Sequence, residues 1–290
     1  MRWYRGHRRD LPWRQTRDPY EILVSEVMLQ QTQVDRVIPK FRLFLKRFPT
    51  LRALARARLG EVLRIWVGLG YNSRARRLWD CSRAVERDWN GRLPSRELDL
   101  RGLPGLGRYS ASAVACFAFG ARVPVVDTNV RRVLGRALLR RDDVSMKAAW
   151  RVAAQALPRD AASWSQALMD IGSLFCRAVP RCEACPARRA CAWAAKPPQP
   201  TGSRPGLKPR HYKAARERGT QPFEGSRRQQ RGRVIASLAS VPGLSLIQLG
   251  PQVKLDYCES DLPWLRDLLR DLARDGLVVL DRKETRARLP

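Results

Sequence analysis

Histidine is almost absent from this chain: His7 and His211 are the only two in 290 residues, and neither sits in a recognisable motif with a partner to orient it. Imidazole-based catalysis is therefore not expected. Acidic residues are scarce as well, 27 Asp and Glu against 56 Lys and Arg, for a formal charge of +29. So large an excess opposes compaction unless a polyanion neutralises it, which makes nucleic acid the expected partner. No apolar run is long enough to span a bilayer, and no amphipathic anchoring segment accompanies the charge, so a membrane partner is not expected. The opening stretch Met1-Arg2-Trp3-Tyr4-Arg5-Gly6-His7 has no apolar leader core, so secretion is not expected either. The chain reads as cytoplasmic, associated with the nucleoid if bacterial.

What is present is ample apolar content, 44%, enough for two or three modules with real cores. The cations are overwhelmingly arginine, whose planar fork binds phosphate bidentately. Seven cysteines in a reducing compartment point to metal binding or chemistry before disulfides. Four of them cluster, at Cys176, Cys182, Cys185 and Cys191, whereas Cys81, Cys116 and Cys258 are scattered and read as small buried hydrophobes.

Up to about Ala195 the pattern is densely helical. Asp18-Pro19 makes a helix start, with Asp18 as cap and Pro19 in the first turn. The spacing predicts helices from Pro19 to about Thr32, then over Val34–Phe48, Leu51–Ala57, Leu59–Val67, Ser73–Asp88, Ser110–Phe119, Thr128–Leu139, Met146–Ala156 and Ser163–Phe175. Short connections and almost no strand alternation predict an all-α domain. At Lys196-Pro197-Pro198 the texture changes to a Pro-, Gly- and Arg-rich stretch that reads as a basic linker, 196–225. The remainder, 226–290, regains pattern: helices over Gly232–Ala239 and Leu262–Arg274, a stop at Gly276, then short strands at Leu277–Leu280 and Arg286–Leu289. Helices followed by a small hairpin resemble a winged-helix module.

Three features carry chemistry. In Gly102-Leu103-Pro104-Gly105-Leu106-Gly107-Arg108-Tyr109, Gly105 and Gly107 permit positive φ and bring backbone N–H groups to the surface at a helix start, a turn able to grip a DNA phosphate without reading sequence. An ordinary tight turn between packed helices is the competing explanation, but the following Ser110-Ala111-Ser112-Ala113-Val114 permits the close packing of a helix-hairpin-helix. The clustered cysteines, with five, two and five residues between successive members, suit either zinc or a [4Fe-4S] cluster. Glu26 lies in the apolar run Ile22-Leu23-Val24-Ser25-Glu26-Val27-Met28-Leu29; a carboxylate there is costly to bury ionised and is expected to hold a proton near neutrality, as a general acid must. The alternative is a structural Glu paired with an arginine. Asp127, in Pro124-Val125-Val126-Asp127-Thr128-Asn129-Val130, reads by itself as a helix N-cap.

Taken in order, Ser25-Glu26-Val27-Met28-Leu29-Gln30-Gln31-Thr32, Gly68-Leu69-Gly70-Tyr71, the Leu103–Tyr109 hairpin, Val126-Asp127-Thr128-Asn129-Val130 and the cysteine loop resemble the helix-hairpin-helix DNA glycosylases, and within them the A/G-specific adenine glycosylases of the MutY type. The resemblance runs from about Trp3 to Trp193. It implies a six-helix barrel module (18–125) and an iron–sulfur module (1–17 and 126–195). It further implies that Glu26 protonates adenine, that Asp127 stabilises the sugar cation with support from Tyr109 and Asn129, and that Gln31 and Tyr71 insert into the base stack with help from Leu69. Thr32, Gly105, Gly107 and Arg108 would join in holding DNA. The four cysteines would bind a [4Fe-4S] cluster. The implied activity is removal of adenine mispaired with guanine or 8-oxoguanine in double-stranded DNA, by a monomer. Related enzymes of the endonuclease III type place a lysine where Tyr109 stands; tyrosine cannot form a Schiff base, so a monofunctional enzyme without strand cleavage is implied.

Three positions differ from that family's usual pattern. Five residues rather than six separate the first two clustered cysteines, Asn72 follows Tyr71 where a second tyrosine is frequent, and the tail does not resemble the Nudix-like domain found in many members.

Overall fold

The computed structural model describes residues 1–195 and 223–290. The expected linker therefore lies almost wholly outside the described residues, as does His211. The chain divides into two compact units, each traversed more than once by the backbone: Met1–Ile22, Ser95–Arg101 and Gly107–Gly219 form one, and Leu23–Pro94, Gly102–Leu106 and Thr220–Pro290 the other.

The first unit is helical, with α1 (Arg2–His7), the start of α2 (Pro19–Leu29), α7 (Glu97–Arg101), α8 (Arg108–Phe119), α9 (Thr128–Leu139), α10 (Met146–Gln155), α11 (Ala161–Leu174) and α12 (Ala192–Ala195). Side-chain caps fix four of these starts: Asp18, as expected, and Asp127, Ser145 and Asp160 each accept a hydrogen bond from a backbone N–H in the first turn, satisfying donors the helix itself leaves open. Val126, Val130, Leu134 and Trp150 form one core cluster, and Ala113, Cys116, Val125 and Leu157 another. The N-terminal segment is tied down through Asp170, fully buried on α11, which accepts from Arg9 at 2.6 Å and Arg14 at 2.7 Å. Helices α1 and α7 were not expected from the sequence, since one or two turns are too short to show a period.

The second unit holds the rest of α2, then α3 (Val34–Arg47), α4 (Leu51–Arg56), α5 (Leu59–Trp66) and α6 (Ser73–Asp88). Phe44 sits at its centre, packed edge-on against Phe48 and Trp66 with ring centroids 5.0 and 6.1 Å away, a favoured geometry for aromatic quadrupoles. The expected extension of α2 to Thr32 does not form. The helix ends at Leu29 because Gln31 takes a left-handed conformation, φ +56°.

The tail belongs to this second unit. Its order is α13 (Arg227–Ser240), β1 (Leu244–Ser245), α14 (Leu246–Val253), α15 (Leu262–Arg274), β2 (Val279–Leu280) and β3 (Arg286–Arg288), with an antiparallel sheet ordered β1-β3-β2. That is the element order of a winged helix. The sequence missed β1, too short to alternate, and α14, which carries a capping box between Ser245 and Gln248 despite an internal Pro251. The tail docks on α5, where the Gly60 N–H donates to the Pro290 carbonyl at 2.9 Å. A Cβ on Gly60 would lie 2.5 Å from that oxygen, so the approach needs glycine. Of the isolated cysteines, Cys81 and Cys116 are buried as expected, their thiols pushed up to about 12 by burial. Cys258 departs from that expectation and is exposed on the loop before α15.

Candidate active site

Glu26 is carried on the last turns of α2, a helix apolar on nearly every side, with Leu23, Val24 and Met28 fully buried around it. Only 5% of Glu26 is exposed. The helix thus holds a carboxylate in surroundings of low polarity, where its charged form is poorly solvated.

Two short loops follow from this helix and from α5. They bring Gln31, Thr32, Leu69 and Tyr71 onto one groove of about 660 Å³. Gln31 and Tyr71 both hold positive φ, +56° and +47°, uncommon for non-glycine residues and maintained only where the surroundings enforce it. The enforcing group is Arg74, a residue the sequence did not single out. Its Nη1 donates to the carbonyls of Val27, Met28 and Gln30 at 2.9, 2.8 and 2.6 Å, closing the C-terminus of α2. Its Nη2 donates to Thr32 Oγ1 and to the Leu69 and Gly70 carbonyls at 3.0, 3.1 and 3.0 Å. One guanidinium therefore clamps both loops. Arg74 is only 5% exposed, and burial pulls its pKa down to about 10. Among so many arginines, nothing in the sequence marks this one.

The glycine turn rests on α6. Gly105 has φ +77°, and a Cβ there would lie 2.6 Å from the Cβ of Arg77, so both the conformation and the space demand glycine. Gly107 differs from expectation: it is the N-cap of α8 with φ −82°, and a Cβ would meet nothing within 4 Å. Helix α8 starts two residues earlier than the spacing predicted, so Arg108 and Tyr109 lie in its first turn. Arg108 is stacked on the Trp150 ring, 4.1 Å from its centroid, and Tyr109 packs against the Cys116–Val125 core.

Asp127 is the N-cap of α9, as its sequence context suggested, and half-buried. Its Oδ1 accepts from the Val130 N–H at 2.6 Å and its Oδ2 from Asn129 Nδ2 at 3.0 Å, so both oxygens are held in place. Asn129 is fixed in turn: its Oδ1 accepts from Arg132 at 2.7 Å, and Arg132 also donates to the Gly172 and Cys176 carbonyls at 2.9 and 2.5 Å. Arg136, one turn on, donates to the Arg177 and Ala178 carbonyls and reaches Cys176 Sγ at 3.5 Å. Two arginines of α9 thereby suspend the cysteine loop. Neither was foreseen.

Cys176, Cys182, Cys185 and Cys191 line one small pocket together with Arg136, Arg181 and Arg188. The thiols of Cys182 and Cys185 are raised, first by burial, and each also feels the other clustered sulfurs. Among the described residues no three ligating side chains converge into a preformed coordination group. The donor set, four thiols and surrounding guanidinium groups, fits an anionic thiolate-ligated centre.

Residues 24–156 match the HhH-GPD superfamily base excision DNA repair protein family. The chain is 39% identical over 288 residues to the adenine DNA glycosylase of Mycobacterium tuberculosis, covering 96% of this chain and 86% of that protein. It belongs to the adenine DNA glycosylase family of this superfamily. Similarity to the human adenine DNA glycosylase, 41% over 206 residues, covers 66% of this chain and 38% of that one, whereas the mycobacterial match takes in almost the whole chain. Among solved structures, a thermostable thymine-DNA glycosylase superposes with a TM-score of 0.63 at 31% identity, covering 67% of this chain and 93% of that one. The fold is therefore that of the helix-hairpin-helix DNA glycosylases, the family's work is base excision repair, and its partner is DNA.

Proposed function

We propose that this family member is a monofunctional glycosylase that removes adenine mispaired with guanine or 8-oxoguanine in double-stranded DNA, acting as a monomer in the cytoplasm. The observation that carries the reading is Glu26, an acid kept 5% exposed inside an apolar helix, in a chain alike over 96% of its length to a protein named for adenine. Likeness to a thymine-DNA glycosylase fold leaves the base open, and the adenine relatives decide it.

The target must leave the stack to be reached. Gln31, Tyr71 and Leu69 fill the gap, with Thr32 beside them, while the Gly105–Arg108 segment holds phosphate through backbone N–H groups. Glu26 delivers its proton to the adenine ring as the bond to the sugar breaks, so that adenine departs neutral. Asp127, its two oxygens already fixed by Val130 and Asn129, stabilises the positive charge left on the sugar. Water then adds to the sugar, its proton returns to the carboxylate, and an abasic site remains. Cys176, Cys182, Cys185 and Cys191 would hold a [4Fe-4S] cluster, which supplies a rigid cross-link for their loop. Arg136 and its neighbours offset the charge of such a group.

Single-turnover excision from duplexes carrying A:G, A:8-oxoguanine or T:G tests this. Adenine released from the first two with thymine left in place is the expected result; thymine release alone would assign the other base. Borohydride added to the same reaction should trap almost no protein on DNA, because Tyr109 offers no amine. Replacing Tyr109→Lys should install some trapping.

A further inference from the structure

The tail is rich in arginine, and several of its cations are engaged in ion pairs. Arg227 pairs with Asp267 at 3.0 Å and with Asp271, Arg231 pairs with Asp275, and Arg270 pairs with Glu284 at 2.6 Å. Arg270 of helix α15 is thus tied to Glu284 of the β2–β3 turn, and Asp267 and Asp271 of α15 are taken up by Arg227 of α13. Arg228 has a different partner. Its Nη1 donates to the Tyr71 hydroxyl at 2.5 Å, and its guanidinium lies 5.2 Å from the Tyr71 ring centroid and 4.9 Å from that of Phe223.

This arrangement is built into the start of α13. Ser226 caps the helix at Gln229 and donates to the Phe223 carbonyl at 2.6 Å, and the Gly225 N–H donates to Gln229 Oε1 at 2.8 Å. Phe223 and Arg228 are therefore held as a pair, although Phe223 is 56% exposed. The Arg227 and Arg231 ion pairs fix the rotation of the helix about its axis. Tyr71 is likewise set from the loop side by its φ of +47° and by Arg74, whose guanidinium lies 5.6 Å from the ring centroid.

We propose that Arg228 is a positioning residue that holds the Tyr71 ring in the orientation from which it enters the base stack, so that the tail speeds extrusion of the target base rather than cleavage of its bond. The inference rests on the reading of Tyr71 as the inserted side chain of an adenine glycosylase. A ring held before binding loses less rotamer freedom on insertion, and the barrier to insertion falls accordingly. The contact combines a charge-assisted hydrogen bond with a cation–π stack at a partly exposed site, together worth about one order of magnitude in rate.

The test uses the full chain with two duplexes, one with A:G and one with adenine opposite an abasic-site analogue, where no partner base holds the adenine in. A 2-aminopurine beside the target reports unstacking by stopped-flow fluorescence. Arg228→Ala should slow the fluorescence rise and single-turnover excision on A:G about tenfold while leaving excision of the unpartnered adenine close to wild type. Tyr71→Phe keeps the ring and loses the acceptor, so combining it with Arg228→Ala should cost less than the product of the two single effects. Equal slowing on both duplexes, no slowing on either, or independent effects in the double variant would overturn the proposal. Failure of the parent reading looks different: wild-type protein would then release adenine from neither duplex.

Discussion

Arg74 donates to the carbonyl of Gln30 at 2.6 Å, the shortest of six bonds by which one buried guanidinium ends α2 and ties its loop to the one carrying Tyr71. Removing it leaves several buried carbonyls without donors. Arg74→Ala should therefore cost about 2–4 kcal/mol of stability. Arg74→Lys should recover little, since an ammonium cannot span both loops as the fork does. Denaturant unfolding monitored by tryptophan fluorescence measures this. A loss well below that range in both variants would mean that the loops hold their positive-φ turns without the clamp.

Glu26→Gln keeps size and hydrogen bonding but has no proton to deliver. Excision should fall to the limit of detection, while affinity for an A:8-oxoguanine duplex stays within a few-fold of wild type. Binding isotherms and single-turnover rates on the same preparation separate the two. Near-normal excision by the variant would remove Glu26 from the mechanism.

Much of the site was legible because it depends on local sequence. The cap role of Asp127, the buried setting of Glu26 and the positive φ of Gly105 each follow from a few adjacent residues, and helices α6 and α9 occupy the ranges their periodicity predicts. What escaped is long-range arginine chemistry. Arg74, Arg132, Arg136 and Arg228 bond to carbonyls, a sulfur and a phenol that for the most part lie 40 or more residues away, and in a sequence so rich in arginine no local pattern distinguishes them from solvated ones. Gly107 departs from the sequence in the other direction: it does not use the positive φ a glycine permits, because its place as an N-cap asks only for extended backbone.

The cysteine loop makes a compositional prediction. Protein purified under anaerobic conditions should be brown and contain about four iron atoms per chain. Replacing Cys182→Ser should bleach it and loosen the loop between Cys176 and Cys191, seen as faster proteolysis there. Elemental analysis is the arbiter, and one zinc with no iron would mean that the five-residue Cys176–Cys182 interval selects a tetrahedral metal instead.

The last prediction concerns Gly172, which lies on α11 against the helix that Asp127 caps. A Cβ at this position would sit 2.6 Å from the Cβ of Asn129 and 3.2 Å from its Cα, distances that force one helix to yield. Both carbons belong to the backbone or its first branch, so no rotamer change relieves the clash. Gly172→Ala should therefore cost about 1–3 kcal/mol through overpacking and push Asn129 away by several tenths of an ångström. Asn129 matters because its Nδ2 holds one oxygen of Asp127 at 3.0 Å, and the Arg132 that fixes Asn129 also bonds the Gly172 carbonyl at 2.9 Å. Moving the amide re-aims the carboxylate meant for the sugar cation, and misplacement of this order costs roughly tenfold or more in rate. DNA affinity should hardly change, since α11 reaches Asp127 through Asn129 and not through any residue assigned to phosphate. Single-turnover excision, duplex affinity and the unfolding midpoint together decide the matter. If the midpoint falls while the rate holds, Asn129 is packing rather than aim, and the orientation of Asp127 rests on its cap bond to Val130 alone.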